Sequence, residues 1–229
     1  MNTLKVECMS VTVQIATLPD REAMLWQTVK SLYQQADAFY IMLNGHKEEP
    51  RIPDPSDKIR YEKLQNEYGD SAKFLHFNER EDFVFSCDDD LSYPPNYCAY
   101  MINKYRQLGG IITLHGKVFQ RPARSAHAYF RENYHCLHTV HGDHRVDTGG
   151  TGVMLLNTKD IKLDIKDYHR PNMADIWTGK LAKEQKIPIF VVEHKAGWLT
   201  YLNPVSTIWR SHTKEFDQYQ VKVLNSFLK

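Results

Sequence analysis

Residues 82–95 read DFVFSCDDDLSYPP, an apolar run followed by three aspartates and a proline pair. Phe83, Val84 and Phe85 are typical of a central strand of an α/β sheet, because short aromatic and β-branched runs suit a strand buried on both faces. Such a strand would deliver the aspartates to its C-terminal end, where open α/β sheets bind ligands. Adjacent carboxylates repel one another, so a site shielded from water holds them only with a cation or several hydrogen-bond donors. The alternative is a solvated acidic turn that caps the next helix, but the apolar strand in front favours the ligand site.

The segments on either side of this stretch predict an α/β fold. Residues 11–16 predict a strand, residues 21–35 an amphipathic helix, and residues 39–43 a second strand that ends at Asn44. A unit of this kind has parallel strands joined by a right-handed crossover. Later segments predict strands at 59–64, 111–115, 153–156 and 187–192, and helices at 96–107, 174–185 and 215–228. The sequence therefore predicts a mostly parallel central sheet flanked by helices, in a single domain over residues 1–229.

The composition narrows the function classes. The 29 basic residues nearly balance the 28 acidic ones, so no overall field draws the protein to nucleic acid or to an acidic bilayer. Cys8, Cys87, Cys98 and Cys136 are scattered, as expected for reduced thiols in a cytosolic protein. The sequence has neither a signal-peptide pattern nor an apolar run of membrane-spanning length. We therefore expect a cytoplasmic protein that would reach lipid-linked material only from the membrane surface.

The end of the first strand and the aspartate run together resemble the GT-A glycosyltransferases. The likeness is greatest to the family-two-like enzymes that build bacterial or viral surface glycans, and it covers nearly the whole chain. It implies a GT-A fold, and it implies transfer of a sugar from a nucleotide sugar, most naturally a UDP-sugar, to a glycan or glycolipid hydroxyl. The segments that carry the likeness are residues 16–21, 69–74, 87–90, 93–95 and 173–177.

The resemblance assigns the aspartates to a metal site. By similarity to the DxD motif, Asp90 would coordinate the metal, Asp88 would contact the ribose or the shell of the metal, and Asp89 would complete the nucleotide contacts. Mn²⁺ or Mg²⁺ is expected, because carboxylate and phosphate oxygens favour hard ions. GT-A enzymes often add a late histidine to the metal. His194 and His212 both qualify, and an ordinary hydrogen-bonded loop histidine is the alternative for each.

The resemblance places the nucleotide at the ends of the first two strands. Ala16 and Thr17 would lie along the base. Arg21 would approach the phosphates or brace the site, and the alternative is a solvated side chain on a helix face. Asn44 stands where relatives often carry an acidic residue that contacts uracil, so base identity stays open.

The resemblance also implies that two further segments bind the donor. Asp70 and Lys73 match a position that reaches the base and the phosphates in the family. The alternative is a helix-start pair, with Asp70 near the helix N-terminus and Lys73 solvated. Gly150, Thr151 and Gly152 would line the donor sugar, because glycine allows a close approach of the backbone to a ligand. Glycines in a turn before a strand are also common without any ligand.

Asp175 is the candidate catalytic base. It resembles the acidic residue of the xED motif, and a base at this position takes the proton of the acceptor hydroxyl in an inverting displacement. The alternative is an ordinary aspartate at a helix N-terminus.

Four histidines recur at every third residue in a segment with little periodicity, residues 116–147. On a helix, residues spaced three apart point in progressively different directions. The side chains of His135, His138, His141 and His144 would therefore not converge on one metal ion. Gly142 within the run also argues against a helix. The sequence favours an acceptor-binding or mobile loop here over a structural metal site.

Two other functions stay open at this point. A nucleotidyltransferase acting on sugar phosphates shares nucleotide and metal chemistry, but it usually carries a glycine-rich basic loop after the first strand, and residues 17–21 contain no glycine. A non-catalytic nucleotide- or glycan-binding module could also retain the fold.

Overall fold

The computed structural model describes residues 10–203 and 214–228. Its helices are α1 (Glu22–Leu32), α2 (Tyr97–Leu108), α3 (Ala174–Glu184) and α4 (Lys214–Phe227). Its strands are β1 (Val11–Thr17), β2 (Ala38–Asn44), β3 (Ile59–Leu64), β4 (Phe83–Asp88), β5 (Leu91–Ser92), β6 (Ile111–Thr113), β7 (Gly116–Phe119), β8 (Phe130–Tyr134), β9 (His144–Val146), β10 (Thr148–Gly149), β11 (Val153–Asn157), β12 (Ile189–Val191) and β13 (Thr200–Tyr201). Short 3₁₀ turns lie at Pro19–Arg21, Gly69–Phe74, Phe77–Glu79 and Ile165–Asp167.

The main sheet has the order β3-β2-β1-β4-β11-β6-β12-β9. The first four of these strands are parallel to one another, and β12 is parallel to β6. Strand β11 runs antiparallel between β4 and β6, and β9 runs antiparallel at the edge beside β12. The predicted fold class, an α/β protein with a mostly parallel central sheet flanked by helices, is therefore confirmed.

Strand β4 lies inside this sheet, between β1 and β11. Its residues Phe83 and Phe85 pack into the same apolar cluster as Leu25 of α1, while Val84 packs into a second cluster with Trp177 of α3. This alternation follows from the two-residue period of a strand. Each large side chain fully buried in this way contributes about 1.5–3 kcal/mol. The apolar run thus keeps β4 inside the sheet. The aspartates that follow the run lie where the parallel strands end.

The middle of the chain differs from the expectation of an irregular loop. Strands β10, β7 and β8 form a small antiparallel sheet, and β9 joins the main sheet. These strands are short, and they pair with segments distant in sequence, such as Thr148 with Lys117. A pairing of this kind leaves little local periodicity for sequence analysis to detect.

Along the described ranges, no helix has both the length and the apolar character needed to cross a membrane.

Candidate active site

A cleft of about 410 Å³ opens at the C-terminal ends of β1, β2 and β4. The structure brings thirteen of the predicted site residues to its lining. They are Ala16, Thr17, Arg21, Asn44, Asp70, Lys73, Asp88, Asp89, Asp90, Gly150, Thr151, Gly152 and Asp175. The parallel strands explain the first part of this convergence, because their carboxyl ends meet at one edge of the sheet. In the register of β1 and β4, Ala16 lies beside Asp88.

Asp89 is the innermost of the three aspartates, with a side chain that is 3% exposed. Thr17 Oγ1 donates to its Oδ2 at 2.6 Å, and Arg21 Nη1 donates to its Oδ1 at 2.7 Å. Burial raises the pKa of Asp89 above its ordinary value, although Arg21 and Thr17 pull the pKa down. Both carboxylate oxygens are engaged by the protein. Asp89 and Arg21 therefore brace the end of β4, which is one of the two roles expected for Arg21.

Asp88 is paired with a buried lysine. Lys73 Nζ lies 2.5 Å from Asp88 Oδ1, and the lysine side chain is only 3% exposed while that of Asp88 is 45% exposed. Burial disfavours the charged lysine, but the attraction of Asp88 and Asp70 outweighs this effect and raises the pKa of Lys73. The alternative in which Lys73 is a solvated helix-start residue is therefore wrong. Lys73 instead holds Asp88 at the cleft.

Asp90 has the least complete set of partners. Its Oδ2 lies 3.8 Å from Arg21 Nη1, and this is the closest cation found for it within residues 10–203 and 214–228. Burial, together with the charges of Asp88 and Asp89, raises the pKa of Asp90 to about 7. A positive charge added beside Asp90 would favour the ionised form of its carboxyl group. The donor set of Asp88 and Asp90, two carboxylates open to a cleft, fits a hard divalent ion.

The glycine loop before β11 packs directly on the aspartate strand. Tyr93 OH donates to Gly152 O at 2.5 Å and accepts from the Asp88 N–H at 3.0 Å. A Cβ at Gly152 would overlap the Asp88 carboxylate. Gly152 is thus required to let the loop approach the aspartates. Tyr93 belongs to the sequence motif at residues 93–95, but nothing in that motif indicates this bridging role.

Asp70 links the Gly69–Phe74 turn to the start of α3. Its Oδ2 accepts from the Ala174 N–H at 3.3 Å, one residue before Asp175. Burial raises the pKa of Asp70 to about 6; the charge of Lys73 opposes this shift and that of Asp175 adds to it. The Asp175 carboxylate accepts from the Ile176 N–H at 2.9 Å. Asp70 therefore helps to orient the turn of α3 that carries the candidate base.

Asn44 is 3% exposed at the end of β2. Its Nδ2 donates to Gly69 O at 2.9 Å. Its Oδ1 is buried and has no hydrogen-bond partner among the residues that the structure describes. Asn44 therefore lines the cleft while its Oδ1 stays enclosed without a hydrogen bond.

The late histidines are not brought to the aspartates by the described part of the chain. His194 is absent from the cleft lining. Its Nδ1 lies 2.7 Å from Val192 O and its Nε2 lies 3.3 Å from His135 O, so both ring nitrogens face main-chain carbonyl groups. His212 lies outside the described residues.

Several cleft residues were not predicted from the sequence. They are Leu18, Asn66, Leu91, His115, Lys117, His127, Cys136, Val153, Asn172 and Gln220. Most lie in or beside short strands and loops without a recognisable motif. His115 is notable because burial, together with His135 and Lys117, lowers its pKa to about 3. The imidazole is therefore neutral near pH 7.

No family model and no curated protein matches the sequence. Among solved structures, one similar chain is a mycobacterial protein with 14% identity and a TM-score of 0.37, matched over 46% of this chain and 40% of that chain. Another is glucosyl-3-phosphoglycerate synthase from Mycobacterium tuberculosis in complex with Mn²⁺, UDP-glucose and phosphoglyceric acid. It has 14% identity and a TM-score of 0.37, over 46% of this chain and 43% of that chain. The chain thus spans less than half the length of these structures.

Proposed function

We propose that this protein is a metal-dependent, inverting GT-A glycosyltransferase that moves a sugar from a nucleotide sugar, most naturally a UDP-sugar, to a hydroxyl group of a glycan or glycolipid. In this proposal the product belongs to a surface polysaccharide, and a lipid-linked acceptor is reached from the cytoplasmic face of the membrane.

The carrying observation is the excess of carboxylates at the end of β4. Three aspartates face two buried cations in the described structure, and Asp89 is already paired with Arg21 while Lys73 is paired with Asp88. Asp88 and Asp90 are left facing the cleft. A divalent cation with a diphosphate is the ligand whose charge suits this arrangement.

The donor is held by the remaining lining of the cleft. Asn44, Ala16 and Thr17 form the part of the cleft wall along which the base would lie. Gly150, Thr151 and Gly152 line the region for the sugar. When bound, Mn²⁺ or Mg²⁺ neutralises the negative charge that grows on the leaving diphosphate.

Asp175, which lies in the first turn of α3 and lines the cleft, acts as the base in this proposal. Its carboxylate accepts the proton of the acceptor hydroxyl while the hydroxyl oxygen bonds to the anomeric carbon. The bond between that carbon and the phosphate oxygen breaks, and its electron pair leaves with the nucleoside diphosphate. The configuration at the anomeric carbon is inverted by this single displacement.

The test measures thermal unfolding with a panel of nucleotide sugars, with and without Mn²⁺. A donor at 100 times its dissociation constant should stabilise the fold by about 2.7 kcal/mol. The stabilisation should require Mn²⁺ and should be lost in Asp90→Asn. Asp82→Asn is the matched control, because Asp82 precedes the same strand at its other end.

The products separate the competing functions. Release of a nucleoside diphosphate supports the proposal, whereas pyrophosphate identifies a nucleotidyltransferase. Donor binding without hydrolysis or transfer over a broad acceptor panel identifies a binding module. Equal stabilisation in the presence of a chelator removes the metal-dependent mechanism.

A further inference from the structure

A second group of metal-binding side chains lies beside the glycine loop. We call His115, His135 and Cys136 the imidazole–thiol cluster. One possible ligand atom from each residue, a ring nitrogen or the sulfur, lies within 4.8 Å of the others. His115 and Cys136 also line the cleft. None of the three belongs to the aspartate site.

The small antiparallel sheet explains why these residues meet. Gly116 of β7 pairs with Tyr134 of β8, so the adjoining residues His115 and His135 are placed opposite each other. Their rings lie 4.9 Å apart between centroids. The His115 carbonyl also accepts from the Gly150 N–H at 2.7 Å, which anchors this residue to the glycine loop.

The chemistry of the cluster differs from that of the aspartates. Burial lowers the pKa of both imidazoles, His115 and His135, so their ring nitrogens offer lone pairs near neutral pH. The Nδ1 atom of His135 accepts a 3.2 Å hydrogen bond from the Leu137 N–H, which coordination through that nitrogen would replace. Cys136 is 9% exposed, and its thiol must lose a proton when a metal binds.

We propose that His115, His135 and Cys136 form a second metal site, which binds a borderline divalent cation, Zn²⁺, and leaves one coordination position open to the cleft. Two imidazoles and one thiolate suit Zn²⁺, whereas Mn²⁺ and Mg²⁺ prefer oxygen ligands. Three protein ligands occupy three corners of a tetrahedron, and the fourth is free for water or a ligand in the cleft. The site stands independently of the proposed glycosyl transfer.

Cobalt is the probe, because Co²⁺ accepts the same ligands and a cobalt–thiolate bond gives an intense charge-transfer absorption in the near ultraviolet. The chain of residues 1–229 with the substitution Cys8→Ser is used as the background, since Cys8 lies outside the described residues. Titration with Co²⁺ should produce this absorption. Zn²⁺ should abolish it by displacement, and Mn²⁺ should leave it in place.

Matched variants locate the site. The absorption should be lost in Cys136→Ser and kept in Cys98→Ser, which alters another buried free thiol. His115→Ala and His135→Ala should each weaken Co²⁺ binding by at least about 100-fold, because loss of a second-shell partner alone costs about 10- to 100-fold. Asp90→Asn should keep the absorption, so this result is separable from failure of the donor site.

Contrary results are equally clear. Absence of the absorption in the folded background protein overturns the site, and so does an absorption that persists in Cys136→Ser. Circular dichroism establishes that each variant is folded. If Cys136→Ser does not fold, His135→Ala decides, because its ring is partly exposed: unchanged Co²⁺ affinity overturns the site, and lost affinity supports it.

Discussion

The two sides of the cleft are built in different ways. The carboxylate side consists of the aspartate run with its partners Thr17, Arg21 and Lys73, whose donor atoms lie 2.5–2.7 Å from carboxylate oxygens. The imidazole–thiol cluster contains neutral imidazoles that only the pairing of β7 with β8 brings together. Buried charges need counter-charges supplied by the fold, whereas neutral ligands need only proximity. The carboxylate side is therefore expected to be the more sensitive of the two to single substitutions.

The largest effect is expected at Asp175, which lies on neither side and would do the proton transfer. Asp175→Asn should lower kcat by about 10²- to 10⁴-fold, because an amide does not accept the proton. Stabilisation by donor and Mn²⁺ should be unchanged, which separates chemistry from binding. Steady-state kinetics measures the loss. Asp167→Asn is the control, an exposed acid in the turn before the same helix; turnover of Asp175→Asn equal to this control would exclude Asp175 as the base.

The second largest effect is expected when the buried ion pair between Arg21 and Asp89 is broken. Arg21→Gln leaves Asp89 buried without its counter-charge and should lower the free energy of unfolding by about 3–5 kcal/mol. Urea unfolding measures this change. Lys159→Gln is the comparison, because Lys159 pairs with Asp82 from a side chain that is 61% exposed, and pairs at the surface contribute about 0–1 kcal/mol.

A double variant sharpens this test. Adding Asp89→Asn to Arg21→Gln should restore part of the stability, because a neutral amide does not need a counter-charge. If Arg21→Gln lowers the free energy of unfolding by no more than Lys159→Gln does, the stability of the carboxylate side does not depend on its buried ion pair.

A smaller change tests the approach of the glycine loop to Asp88. Gly152→Ala should cost about 1–3 kcal/mol, as overpacking does, and should weaken Mn²⁺-dependent donor binding because the methyl group displaces the carboxylate. Gly142→Ala is the control: its Cβ would meet no atom within 4 Å, although its φ of +77° makes alanine strained. That strain costs about 1–2 kcal/mol but should leave binding intact. Similar donor binding in the two variants would contradict the role of Gly152.

The smallest effect is a pH dependence at Asp70. The folded-state pKa of about 6 is above the ordinary 3.8, so the folded protein keeps a proton that the unfolded chain releases between these values. The free energy of unfolding should therefore fall as pH rises through this window, by at most about 3 kcal/mol. Asp70→Asn should remove this component in urea unfolding at several pH values. Asp164→Asn, an exposed cap of the 165–167 turn, should retain it, and parallel profiles for Asp70→Asn and wild type would refute the assignment.

Elements of the fold that depend on local sequence patterns could be predicted, whereas elements that depend on pairing between distant segments could not. The strand segments of β1, β2, β3 and β4 and the periodic patterns of the four helices are local, and the structure confirms them to within a few residues. The aspartate run was found for the same reason, since it follows an apolar strand directly. The strands between residues 116 and 149 were missed because each is short and is stabilised by a distant partner.

The same distinction between local patterns and distant contacts applies to the candidate site. Sequence patterns alone were sufficient to predict a mostly parallel sheet with carboxylates at the end of a central strand, because strand periodicity and strand ends are local properties. The tertiary structure decided that Arg21 braces Asp89, that Lys73 holds Asp88, and that Asp90 lies 3.8 Å from Arg21. It also placed His135 against His115 and Cys136, whereas the spacing of the histidines had argued against a metal site. These outcomes depend on contacts between residues distant in the chain, whose geometry exists only after the sheets have formed.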